Sequence, residues 1–275
     1  MKQSMTIFMF FASLLLAASS CFAETYKDRR TEGLYLNVEQ FLLHEFDELE
    51  NELRGENGQR MAVGYTEDNL GWNHPGIIYE LSAQGTLGVV FYQDSKPRSI
   101  LGVGDSLTSK ADYLGLSLEF MMGQRYGYLV ENNYLEIMAG AEGQMWARNI
   151  RNGGDNTGFA QGVKDVVGSF SPQVSIALTT WWRGMRQSLT LGVKYPLFVQ
   201  RLNVDSRSLL SLEGGRGLFG HLDLTRLFRI KGRWVNLRLY VDSNHMMPSG
   251  SEYKTYTTDK VLQVTGGMRI TYDFM

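Results

Sequence analysis

The closing stretch Val261–Met275, VLQVTGGMRITYDFM, constrains the fold more than any other part of the chain. Leu262, Val264, Met268, Ile270, Tyr272 and Phe274 share one parity, broken only at Gly266. Gln263, Thr265, Arg269, Thr271 and Asp273 share the other. A period of two held this long, ending in Tyr-x-Phe, describes a strand with one oily face and one wet face. In a water-soluble sheet the oily face turns onto a core. In a closed barrel within a membrane it turns onto lipid, and the wet face lines the lumen. The rest of the chain chooses between these two.

The N-terminus reads as an export signal over Met1–Ala23. Lys2 precedes an apolar run, Ile7–Ala18, and the small residues ending Cys21-Phe22-Ala23 precede Glu24. That run is too short to span a bilayer as a helix. Cys21 raises the rival idea of a lipid-anchored cysteine, but Ala18-Ser19-Ser20 lacks the leucine usual three positions before it. With cleavage after Ala23 the mature chain has no cysteine, so disulfides are excluded. Cleavage removes Lys2 alone among the charges, leaving 26 basic against 29 acidic side chains. Such a balance gives no reason to expect a nucleic-acid partner. Thirty Gly, 14 Tyr, 14 Phe and only five Pro suit many strands joined by tight turns.

One segment looks helical. Asn37–Arg54 carries Phe41, Leu42, Phe46, Leu49 and Leu53 as an apolar stripe beside Glu45, Glu48 and Glu52. Asn37 with Gln40 resembles a capping box, and Gly55 is a natural stop. An acidic helix engaging basic groups in the lumen is a sharper reading, and Tyr35–Asp47 as a strand is a third, but its alternation is poor. The expectation is therefore a periplasmic N-terminal segment, 24–57, with an amphipathic helix at the rim. A barrel over 58–275 follows it.

Alternation then takes over at Met61–Thr66, Ile77–Leu81, Leu87–Tyr92, Tyr113–Arg125 and Tyr134–Arg148. It continues at Ser171–Trp182, Ser188–Val199, Leu218–Phe228, Trp234–Asp242 and Val261–Phe274. The count is ten, or twelve if a hairpin is merged or missed. Connections alternate too. Val130–Asn133, Arg183–Arg186 and Ile230–Arg233 are short, whereas Asp94–Asp112, Asn149–Gly168, Gln200–Gly217 and Ser243–Lys260 are long. Short turns at one end and long loops at the other are what a membrane barrel with periplasmic and external ends requires. Tyr126, Tyr128, Tyr134, Trp181, Trp182, Phe228, Trp234, Tyr272 and Phe274 gather near the short turns, as an interfacial girdle would.

The signal, the two-faced strands and the aromatic last strand together resemble a Gram-negative outer-membrane β-barrel, with Met275 after the final aromatic as a departure. The resemblance covers roughly the last three quarters of the chain and belongs to the class, with no family motif. It implies an all-β, antiparallel, up-and-down transmembrane barrel in the outer membrane. Its expected partners are membrane lipid and lipopolysaccharide, the barrel-assembly machinery during insertion, and a small solute or ion if the lumen is open.

Parity sends Glu80, Glu119, Arg125, Glu136, Glu142, Arg148, Lys194, Asn236, Arg238, Asp242, Arg269 and Asp273 inward, together with His221 and Asp223. Charges of both signs in a narrow lumen should pair, because an unpaired buried charge costs several kcal/mol. A salt-bridged interior is the leading reading, a hydrated conduit the next, and a carboxylate acid–base pair the third. His221 with Asp223 is the one weak catalytic candidate, without a serine at a telling spacing. No metal-ligand spacing occurs, and no cofactor is expected. Gly214-Gly215-Arg216-Gly217 precedes a strand, so it makes no phosphate cradle. The expected role is non-enzymatic: structural, narrow-pore or surface-interacting. An outer-leaflet enzyme acting on lipid or lipopolysaccharide is the alternative.

Overall fold

The structure, a computed structural model, describes residues 30–46, 52–71, 73–94, 107–127, 132–150, 164–203, 208–248 and 260–274. The expected signal peptide lies outside them. Eleven strands follow in order: β1 (Thr31–Phe46), β2 (Glu52–Asp68), β3 (Gly76–Asp94), β4 (Leu107–Gly127), β5 (Asn133–Ile150) and β6 (Lys164–Trp182). The remainder are β7 (Met185–Lys194), β8 (Phe198–Asn203), β9 (Ser208–Ile230), β10 (Arg233–Pro248) and β11 (Lys260–Asp273). Each pairs antiparallel with its neighbours, and β1 closes onto β11. β7 and β8 both lie between β6 and β9, so they form one interrupted stave of a ten-stave ring.

Ten staves agree with the sequence reading, but two errors cancel within that number. Ser82-Ala83-Gln84-Gly85 is no turn; it lies inside β3, which pairs unbroken with β4 from Gly76 to Asp94. The missing stave is β1. The helix expected over Asn37–Arg54 is therefore corrected: Asn37–Phe46 is strand and Glu52–Arg54 opens β2, with residues 47–51 outside the described residues. The barrel starts at Thr31, not at residue 58.

The physical reason for the miss is a change of polarity along β1. In its first half Leu34, Leu36 and Val38 are exposed, while Tyr35, Asn37 and Glu39 are buried. In its second half the burial alternation continues but the chemistry inverts: Phe41 and Leu43 are buried, and Gln40 is exposed. The first half is a membrane strand, apolar outward. The second half is a strand of a soluble barrel, apolar inward. Averaged over both, a period of two disappears.

The same inversion runs round the wall. Toward the short-turn end the outward face is Val63, Leu114, Leu116, Ile137, Leu178, Leu191, Leu239 and Ile270, all exposed. Toward the other end it turns more polar, with Asn57, Gln59, Lys110, Asp112 and Asn149 set among the exposed Val89, Phe91 and Leu202. Inside that end, Phe41, Leu43, Val90, Tyr92, Tyr113, Ile150, Val199 and Val261 pack into one buried cluster. A lipid belt needs about 9–11 residues per strand, whereas β4 has 21 and β9 has 23. The surplus carries the upper barrel out of the membrane. It also shortens the expected long loops: β9 reaches back to Ser208, so only residues 204–207 separate β8 from β9.

The interruption at Tyr195-Pro196-Leu197 has a backbone cause. The amides of Tyr195 and Leu197 donate to the carbonyls of Pro172 and Phe170 in β6, at 3.0 and 2.8 Å. By alternation the nitrogen of Pro196 turns to β9, and it carries no hydrogen. Pairing with β9 accordingly stops at Lys194↔Gly217 and resumes at Val199↔Leu212. Hydrogen exchange followed by mass spectrometry should show this seam exchanging ahead of β7 and β8. Pro196→Val should slow it; equal protection along the whole stave would contradict the assignment.

Candidate functional site

The barrel interior gathers the charged side chains, in tiers. Beginning at the short-turn end, Asn236 donates to both oxygens of Asp273 at 2.9 and 3.0 Å and accepts the Arg226 amide at 2.7 Å. Above them, the connection after β2 folds Leu70 into the mouth against Ile78, Met121 and Met138. The fully buried Arg125 holds this plug, donating to Leu70 O at 2.9 Å and to Glu136 at 2.8 Å. Arg186 takes the other oxygen of Glu136, also at 2.8 Å.

The next tier crosses the barrel. Arg238 on β10 forks onto Glu80 of β3 at 2.8 and 3.0 Å, and its Nε reaches Asp223 at 2.5 Å. His221 stands 3.3 Å from the other Asp223 oxygen. Arg269 lies over the Tyr35 ring at 4.1 Å and donates to Asn37 at 3.2 Å. Glu119 and Glu142 face one another directly across β4 and β5. Glu142 accepts from Lys194 at 3.1 Å, and Lys194 also binds Asp242. Glu119 accepts from Gln173 at 2.7 Å and Ser82 at 3.4 Å. These groups line a cavity of about 140 Å³, room for on the order of ten waters.

The external end closes over that cavity. Arg60 donates to Glu39 at 2.7 Å and lies 3.9 Å over the Phe41 ring. Beyond the apolar cluster, Arg148 joins three strands: it binds Glu56 on β2, Asp165 on β6 at 2.6 Å and Glu45 on β1 at 3.6 Å. Arg201 on β8 spans the same opening, to Glu45 at 3.1 Å and Asp165 at 2.7 Å. The Tyr113 hydroxyl donates to Glu56. This cluster stands above the lipid belt. There burial opposes the charge of Glu45, but Arg201, Arg148 and Arg54 outweigh it and hold the carboxyl down at about 2.

Sequence reasoning missed Glu39, Glu45, Glu56, Arg60, Asp165 and Arg201. The first three fell in the expected helix or linker, and Asp165 and Arg201 in expected loops. The usable signal was the parity set Tyr35, Asn37, Glu39, Phe41, Leu43, Glu45, legible once a change of polarity partway along is allowed.

Chemically, the interior is a network of ion pairs and hydrogen bonds around a polar cavity, with Glu119 held by Gln173 and Ser82 in place of a cation. Of the weak catalytic pair, Asp223 accepts from Arg238 with one oxygen and stands 3.3 Å from His221 with the other. Among the described residues no group of three His, Cys, Asp or Glu side chains could hold a metal ion.

No family model matches the chain, and no curated protein matches it. Solved structures do. The outer membrane protease OmpT of Escherichia coli superposes with a TM-score of 0.53 at 11% identity, over 90% of this chain and 97% of that one. The translocator domain of the Neisseria meningitidis autotransporter NalP gives 0.40 at 11% identity, over 95% and 98%. A major outer membrane protein of Thermus thermophilus gives 0.36 at 10% identity, over 88% and 99%. At such identity the likeness is one of fold. The chain has the closed antiparallel fold of a Gram-negative outer-membrane β-barrel.

Proposed function

We propose that this protein is a non-enzymatic, closed outer-membrane barrel that holds its external loops on a rigid mount above the membrane, where they meet a partner. After export it resides in the outer membrane, with the short turns in the periplasm and the long strand ends outside. The observation that carries the reading is the inversion of polarity along the wall. A channel needs a continuous wet lumen, whereas this upper barrel packs Phe41, Leu43, Tyr92 and Tyr113 inside and ties its staves with Arg148 and Arg201. A filled, ion-paired extension adds no conduction and holds the strand ends in fixed relative positions.

Single-channel recording in planar bilayers is the test, with lipid analysis beside it. The purified barrel should give no steady conductance above the bare membrane. Mass spectrometry of lipid A and phospholipids should be the same with and without the protein. A stable open level would sink the closed-mount reading, and a modified lipid would move the protein to the enzymes of the outer leaflet.

A further inference from the structure

The charged lumen is absorbed by the reading above; the short-turn rim is not. On that rim the β6–β7 and β9–β10 hairpins stand side by side, because β7 pairs with β9. Their tips carry Arg183, Arg229, Lys231 and Arg233, all exposed. Residues 180–187 and 224–236 contain no Asp or Glu. The rest of the rim is different: the β2–β3 connection, residues 69–75, has no Lys or Arg and follows Glu67 and Asp68. Residues 128–132 between β4 and β5 include Glu131 and no cation. Among the described residues Arg30, before β1, is a further cation of this rim, and it is paired with Glu32 and Glu67, so basic charge without acidic neighbours gathers on one arc.

The cations are also placed on rings. Arg183 lies 4.8 Å over Trp182, and Arg229 lies 4.1 Å over Trp234. Arg226, set at φ 62° by a bulge in β9, lies between Trp181 and Trp234 at 5.6 and 6.0 Å. Immediately beside them Trp182, Phe228 and Ile230 are about half exposed and continue the lipid belt. Guanidinium groups supported on indoles, one residue from acyl-chain contact, stand at the height of lipid phosphates. A soluble acidic protein would gain nothing from the apolar flank.

We propose that this arc binds the phosphates of anionic phospholipid in the inner leaflet, gathering phosphatidylglycerol-type headgroups on one side of the barrel. The site rests on the short turns facing the periplasm, but not on whether the barrel conducts. Each cation near an anionic surface attracts it by up to about fivefold. Four of them, partly screened, should enrich such a lipid by about tenfold next to the hairpins.

The test uses the full chain in vesicles of phosphatidylethanolamine and phosphatidylglycerol, with acyl bromine on one lipid or the other. Three of the chain's five Trp, at 181, 182 and 234, belong to the arc and report local bromine by quenching. Brominated phosphatidylglycerol should quench out of proportion to its share, and high salt should abolish the excess without any mutation. The variant Arg183→Gln/Arg229→Gln/Lys231→Gln/Arg233→Gln should bring the preference to about one, while Lys110→Gln/Lys164→Gln in the upper barrel keeps it. Equal quenching by the two lipids in the unaltered protein would overturn the proposal. So would an excess that survives salt or the fourfold variant. Conductance recorded on the same vesicles keeps this outcome separate from the closed-barrel reading.

Discussion

Arg148→Met should cost about 3–5 kcal/mol of folding free energy, the largest single-residue effect expected in this barrel. Arg148 is about 1% exposed and bridges three carboxylates from three staves. Without it Glu56 keeps, among the described residues, the Tyr113 hydroxyl, while Asp165 loses one of its two arginines and Glu45 falls back on Arg201 and on Arg54 at 3.5 Å. A carboxylate stranded in an apolar cluster has lost both its counter-charge and its water. The double variant Arg148→Met/Glu56→Leu should recover most of the loss, because removing both members of a buried pair is often neutral. Urea titration of the barrel in vesicles measures both. A loss below about 1 kcal/mol for the single variant would mean that water reaches the cluster and that the upper barrel is not filled.

How legible this was in the sequence follows from where each residue stands relative to the membrane. Within the lipid belt one rule holds, apolar outward and polar inward, so strands such as Tyr113–Arg125 and Tyr134–Arg148 stand out by period alone. Above the belt the rule reverses. Phe41 then reads as part of a helical stripe with Leu42, because it belongs with Leu36 and Val38 by hydrophobicity but with Tyr35 and Asn37 by direction. Asp165 and Arg201 suffered the same fate at the far ends of β6 and β8, where polar outward neighbours such as Lys164 and Gln200 suggest loops. Ion-pair partners were not legible at all. Parity gives the face of Glu80 and Arg238, but only closure of the ring lets these side chains, from β3 and β10, meet at 2.8 Å across the lumen.

The second large effect tests where the membrane ends. Leu36 and Leu42 lie on the same strand and share outward parity. Leu36 is 41% exposed, registers with Ile270 and Val63, and sits mid-belt. Leu42 is half-buried, registers with Asn57, and neighbours the exposed Gln40–Asn57 hydrogen bond. Six residues of a tilted strand raise Leu42 by about 15 Å along the barrel axis. Leu36→Arg should therefore cost about 2–4 kcal/mol, the penalty of a cation near the bilayer midplane, and Leu42→Arg about 0–1 kcal/mol. Folding free energies in vesicles, measured for the two variants side by side, decide it. If Leu42→Arg proves as costly as Leu36→Arg, the upper barrel is immersed in lipid, nothing is raised above the surface, and the mount proposed for the external loops falls with it.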